Sequence, residues 1–234
     1  MTRETRDLIA RLSSNLPAVR SLAPAHRRAL TWLLLAAPSV ASFVFLFSPR
    51  RDLAAKLGDW RFLVEQGATL ATAILAAICA FAMTVPGRDR RMALLPLVPL
   101  AIWIGVLGDG CVRDVLSGVP SGLGFRADWV CLPIIAAVGA WPAVLMLVML
   151  RRGAPLTPHR TVAMGALAAA GLGNFGLRLF HQQDVSLTIL VWQVGSTLAL
   201  ASLASWAGPR LLRWRTGLGC NLSGRPGATG RVRQ

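Results

Sequence analysis

LVEQGATLATAILAAICAFAMTV, from Leu63 to Val85, is a run of apolar and small residues with a single charge, Glu65, near its start. A helix that crosses the hydrocarbon core of a bilayer needs about 20 such residues. Five further runs fit the same reading: Leu30 to Phe47, Met92 to Leu107, Trp129 to Leu150, Val162 to Phe180 and Ser186 to Trp206. The third is short and holds Pro96 and Pro99, while Pro38, Pro133 and Pro142 lie inside other runs. Proline argues against simple soluble helices, but in a membrane bundle neighbouring helices can satisfy the backbone groups that it frees. The expectation is an all-α, polytopic integral membrane protein of six transmembrane helices. The domain plan has an amphipathic segment at 1–28, a bundle at 29–208 and a basic, disordered tail at 209–234.

Composition agrees. Hydrophobic residues make up 54% of the chain and charged residues 15%, against about 25% charged in a soluble domain. The basic residues are 24 Arg and one Lys, for a net charge of +15. Such a balance can mark nucleic-acid binding. Here the arginines sit between apolar runs, the pattern that orients membrane proteins, so direct nucleic-acid binding is not expected. The first run is preceded by a long polar segment, which argues for a retained helix over a cleaved signal peptide.

Counting Lys and Arg in alternate polar segments gives 18 on the side of both termini and 7 on the other. The positive-inside rule puts the larger set in the cytoplasm. Seven of the ten acids, among them Asp52, Asp59, Glu65, Asp109 and Asp184, fall on the outer side. The weak point is the first outer loop, whose Arg50, Arg51, Lys56 and Arg61 oppose the rule. Trp32, Trp60, Trp129, Trp206 and Trp214 lie near span ends and read as interfacial anchors.

No nucleotide-binding loop, zincin motif or Cys-x-x-Cys occurs, and no bound cofactor is expected. Span interiors are nearly free of charge, which weakens a transporter reading; Glu65 and Arg178 come closest, near the outer ends of their spans. Cys79 reads as a packing residue and Cys220 as an inert tail residue. Cys111 and Cys131 bracket the third outer loop on the oxidising side, where disulfides persist. Three roles suit the pair: a structural disulfide, a redox switch, or capture of a transient soft metal by two thiolates, with or without His181. A bridge across this loop would stabilise by roughly 3 kcal/mol in the chain-entropy account. Arg178 lies one turn before His181 and can share its face, and Asp184 can pair with Arg178 or orient the imidazole. His26 and His159 read as loop residues. Gly165, Ala169 and Gly173 permit close helix packing, and Asn174 and Gln193 can bond between helices.

The segment from Thr2 to Leu22 places Leu8, Ile9, Leu12, Leu16, Val19 and Leu22 within an arc of about 140°. Arg3, Arg6, Arg11 and Arg20 take the other face, and Pro17 should kink or split the helix. A basic amphipathic helix suits an anionic bilayer surface or a partner's groove.

Several pieces stand in a telling order: Asp7-Leu8-Ile9, Pro86-Gly87-Arg88, Gly110-Cys111, Cys131, Arg151-Arg152-Gly153-Ala154-Pro155-Leu156, Leu177-Arg178-Leu179-Phe180-His181 with Asp184, and Leu190-Val191-Trp192. In these the chain resembles the NrsF family, bacterial membrane-bound negative regulators of sigma factor F, an extracytoplasmic-function sigma factor. The resemblance runs from about Asp7 to Trp214. It implies an anti-sigma factor, not an enzyme. The protein would hold the sigma factor at the inner membrane through Leu8, Ile9, Leu12 and Leu16, and release it on stress sensed at Cys111 and Cys131. The family commonly has a histidine after the tryptophan of the last span; here that position is Gln193. A membrane thiol–disulfide oxidoreductase and a small transporter are the competing readings. Stimulus and oligomeric state are not legible.

Overall fold

The computed structural model describes residues 3–14, 22–85, 87, 90–116, 131–153, 157–181 and 189–212. The described residues are helical, with no strands among them. An N-terminal helix α1 (Arg3–Ser14) precedes α2 (Ala25–Leu46), a short α3 (Leu53–Leu57) and α4 (Trp60–Ala82). A 3-10 turn (Arg90–Leu94) leads into α5 (Leu97–Leu116), followed by α6 (Cys131–Leu150) and α7 (Pro158–Phe180). A π-helical turn (Leu190–Val194) opens directly into α8 (Gly195–Leu211). Six helical stretches among the described residues are long and apolar enough to cross a membrane, and the protein is an all-α, multi-pass membrane protein.

Lipid tails give no hydrophobic drive for helix association, so close backbone approach through small residues has to supply it. α7 is built for this and is buried along most of its length. A Cβ on Gly173 would stand 3.2 Å from the Ile135 carbonyl oxygen of α6, and one on Gly165 would stand 2.9 Å from Met146 Cγ. On another face a Cβ at Gly171 would meet Ala73 of α4 at 3.2 Å. A Cβ at Gly176 would overlap Val40 of α2. The ladder Gly165, Ala169, Gly173 read from the sequence is the α6-facing seam of this helix.

The connections alternate between two ends. At the first, Arg28 of α2 meets Thr84 after α4 and Met149 of α6, and His159 of α7 meets the Ser205 carbonyl of α8. At the second, the Arg50 amide donates to the Leu179 carbonyl at 3.0 Å, and Phe47 stacks on Phe180 with centroids 5.4 Å apart.

Several boundaries differ from expectation. α2 starts at Ala25, before the expected Leu30, and so takes in His26, Arg27 and Arg28. Charge in a first helical turn is tolerated here because Arg28 is internally satisfied: its guanidinium donates to Thr84 Oγ1 and the Met149 carbonyl, both at 2.9 Å, and lies over the Phe81 ring. The shift moves Trp32 two turns into the helix. It is fully buried and its Nε1 donates to the Pro142 carbonyl at 2.9 Å, so it is a core residue and not an interfacial anchor. Trp60 and Trp206 are exposed, as anchors are; Trp129 and Trp214 lie outside the described residues. α5 runs on to Leu116 and contains Cys111. α7 starts at Pro158, so His159 is helical and not a loop residue. α8 continues to Leu211, past the boundary drawn at 208, with Arg210 over the Trp206 ring. Gly87 has φ +84, a left-handed conformation that glycine adopts without strain.

Candidate functional site

At the second end the chain gathers charge in pairs. Glu65, in the second turn of α4, and Arg178, in the last turn of α7, are both buried. They form a bidentate ion pair, Nε to Oε1 at 2.8 Å and Nη2 to Oε2 at 3.1 Å, with the guanidinium 5.7 Å from the Phe62 ring centre. The forked guanidinium matches a carboxylate edge-on, which fixes direction as well as distance. From the sequence these looked like two isolated charges near helix ends, with Asp184 read as able to pair with Arg178 or to orient the His181 imidazole. The acid found on Arg178 is Glu65; Asp184 lies outside the described residues.

Three further arginines of this end also meet acids. Arg61 reaches Asp109 at 2.8 Å, and Arg113 approaches the same carboxylate at 3.2 Å. Arg50 is buried and holds Asp52 through two contacts of 2.7 Å. Two of the four basic residues that oppose the positive-inside rule are thus neutralised locally. The hydrogen bonds from Arg50 hold the Asp52 carboxyl down to about 2, below the usual 3.8. A lowered folded-state value means the contribution is fully present above the unfolded value and disappears as pH falls through the folded one. An Asp52→Asn variant should therefore melt below wild type near pH 5 and converge with it as pH falls to about 2. Thermal midpoints across that range in mild detergent check this; a gap that does not change with pH would count against it.

One turn deeper lies a polar layer. Asn174 Nδ2 donates to Thr197 Oγ1 of α8 at 2.7 Å, the interhelical bond expected of it. Gln193 sits buried in the π-helical turn, a widened geometry that recurs at functional sites. Among the described residues, Gln66 Nε2 and Oε1, Gln193 Oε1 and Ser196 Oγ have no hydrogen-bond partner. Of Gln193 an interhelical bond was also expected; its Oε1 makes none to the described residues.

The sensor residues read from the sequence lie at this same end. Cys111 is in the penultimate turn of α5, half-buried, two residues from both Asp109 and Arg113 in sequence. His181 caps α7, and its amide donates to the Leu177 carbonyl at 2.8 Å. Cys131 opens α6, but its side chain, like the loop 117–130, lies outside the described residues. No group of three His, Cys, Asp or Glu side chains suited to a metal gathers among the described residues; the soft-metal set of Cys111, Cys131 and His181 includes a side chain outside them. Cys79 is fully buried and its thiol meets the Met92 carbonyl, a packing role as read; Cys220 is outside the described residues.

At the first end stands α1. Glu4 in its first turn and Arg11 in its last complement the helix dipole. The hydroxyls of Ser13 and Ser14 donate to the Ala10 and Arg11 carbonyls, each at 3.0 Å, and so serve groups that a helix end leaves open. Every described side chain of α1 is exposed, with Leu8 at 58% and Ile9 at 48%. The side chain of Leu12, and all of Leu16 and Pro17, lie outside the described residues.

The two ends treat arginine differently. Arg178, Arg61, Arg113 and Arg50 at the second end face carboxylates. At the first end, Arg28, Arg151 and Arg210 turn to a hydroxyl, to carbonyls and to rings.

Comparison with known proteins adds one finding. The family described as negative regulator of sigma F (NrsF) matches residues 12–214. The match ends at Trp214, as the resemblance suggested, but begins at Leu12, so Leu8 and Ile9 fall outside it. No curated protein and no solved structure matches. A match over most of the chain, on the six-span architecture described above, decides the matter: the chain belongs to the NrsF family of negative regulators of sigma F.

Proposed function

We propose that the protein is an anti-sigma factor that sequesters an extracytoplasmic-function sigma factor at the bacterial inner membrane. The observation that carries this reading is α1, a helix whose Leu8 and Ile9 stand uncovered beside basic residues on the same chain as a six-span anchor. An apolar ridge at helical spacing fits a partner's groove. Both termini face the cytoplasm in this reading, supported by the concentration of acid-paired arginines at the opposite end. The activity is regulatory, not catalytic. Leu8, Ile9, Leu12 and Leu16 occlude the sigma factor, and a change at Cys111 and Cys131, by oxidation or soft-metal capture with or without His181, weakens the hold. To release the partner 100-fold the two sites need a coupling of about 2.7 kcal/mol, within what one disulfide supplies.

The test is co-purification of the candidate sigma factor with the full chain from gently solubilised membranes. Wild type should retain the partner and lose most of it on addition of oxidant or soft metal, whereas Cys111→Ser/Cys131→Ser should retain it under all conditions. Absence of retention in any condition overturns the sequestration reading. Equal release from the double variant overturns the thiol sensor while leaving sequestration standing.

A further inference from the structure

The first end of the bundle carries a cleft of about 240 Å³, lined by Leu22, Arg27, Arg28, Thr31, Met149 and Arg152. It opens between the first turns of α2 and the end of α6. Three guanidinium groups contribute, and among the described residues none of them has a carboxylate within ion-pair distance. At the second end Arg50, Arg61, Arg113 and Arg178 meet acids; the cleft arginines do not among the described residues. Arg28 and Arg152 bring like charges to the same cleft. Arg28 is held in place, buried at 8%, by Thr84 Oγ1, the Met149 carbonyl and the Phe81 ring, so it cannot swing away to relieve the repulsion. Arg27 and Arg152 are exposed and border the same space. A fixed cation flanked by two exposed ones, with no carboxylate partner among the described residues, suits an anion.

The apolar part of the lining decides the kind of anion. Leu22 and Met149 give the cleft a hydrophobic wall. One turn along α2 from Thr31, Leu34 and Leu35 are exposed and continue the same face down the bundle. A cationic mouth above an apolar helix face matches an amphiphile with an anionic head. Basic pockets between transmembrane helices take phosphate headgroups for this reason.

We propose that this cleft binds a phosphoryl group, supplied by the headgroup of an anionic phospholipid, with Arg28 as its fixed contact and Arg27 and Arg152 closing over it. Because Leu22 joins the N-terminal segment to α2, an occupied cleft also anchors the point from which that segment departs. The proposal is independent of the sigma-factor reading.

The test follows the thermal midpoint of the purified full chain in mild detergent, titrated with phosphatidylglycerol, with phosphatidylcholine of the same acyl chains, or with inorganic phosphate. The variants are Arg27→Gln and Arg152→Gln, neither of which removes a hydrogen bond among the described residues, and Arg160→Gln as an exposed arginine outside the cleft. Saturable protection by phosphatidylglycerol but not phosphatidylcholine is expected, weakened roughly fivefold for each cleft arginine removed and unchanged in Arg160→Gln. Equal protection by inorganic phosphate, lost in the cleft variants, keeps the phosphoryl site but overturns the lipid as its source. Protection that is absent, or that survives both cleft substitutions, overturns the site.

Discussion

Glu65→Gln is expected to be among the most destabilising single substitutions in the bundle, by about 3–5 kcal/mol. Glu65 and Arg178 are each 6% exposed, and they join the start of α4 to the end of α7 through two hydrogen bonds. Glutamine keeps the shape of the side chain but removes the charge and one acceptor, so a buried guanidinium loses that countercharge beside the Phe62 ring. Truncating one member of a buried pair is costly mainly for this uncompensated charge, not for the lost attraction. The double substitution Glu65→Leu/Arg178→Met removes both charges and should recover most of the loss. Unfolding of the reconstituted or micelle-bound protein in graded denaturing detergent reads both effects. If Glu65→Gln stays within about 0.5 kcal/mol of wild type, the usual spread of a surface substitution, the pair is solvated and the argument fails.

That pair also shows where sequence reading stops. The six spans were legible because each is a local property: length and apolarity of one run. The α6-facing seam of α7 was legible for the same reason, since Gly165, Ala169 and Gly173 recur at a helical interval. The partnership of Glu65 and Arg178 is not local. The two are 113 positions apart, and each taken alone resembles a residue snorkelling to an interface. Only the packing of α4 on α7 makes them neighbours. Trp32 failed for a related reason. With Arg27 and Arg28 counted as loop, it stood at a span end. Only the tertiary contacts of Arg28 to Thr84, Met149 and Phe81 admit those charges into the helix. The signal within reach was Pro24, which occupies the N-cap of α2 and marks a helix start better than the first apolar residue does.

The candidate site divides along the same line. The exposed ridge of α1 follows from periodicity, and Leu8 and Ile9 stand uncovered as that pattern implies. Of the polar layer, Asn174 and Gln193 were legible one by one, and Thr197 was not. Its concentration between α7, the π-helical turn and α8 is a fact of packing. It lies one turn from the Glu65–Arg178 pair and at the end of the bundle that holds Cys111. A change of state at that end would thus act on helices joined by buried polar contacts, which hold one arrangement more strictly than apolar packing does.

A double substitution at the other end, Leu8→Asp/Ile9→Asp, should lower affinity for the sigma factor at least about 100-fold. Burying a Leu or Ile side chain on docking contributes about 1.5–3 kcal/mol, and each residue already starts partly covered, at 58% and 48% exposure. Together they supply roughly 3 kcal/mol, which is just over two decades in Kd. The new carboxylates add the desolvation of charge in an apolar groove. Because both side chains are exposed, membrane insertion and thermal stability should not change, and this separates a lost interface from a lost fold. Leu8→Ala/Ile9→Ala should give the same direction with a smaller loss. The reading that α1 lies on the bilayer makes a different forecast. There the aspartates would lift α1 off anionic vesicles, seen as increased protease access between Arg3 and Arg11, while the sigma factor still co-purified. Retention of the partner by the aspartate variant, measured as the fraction eluting with the solubilised chain, would remove α1 from the proposed interface and place that role on another element of the chain.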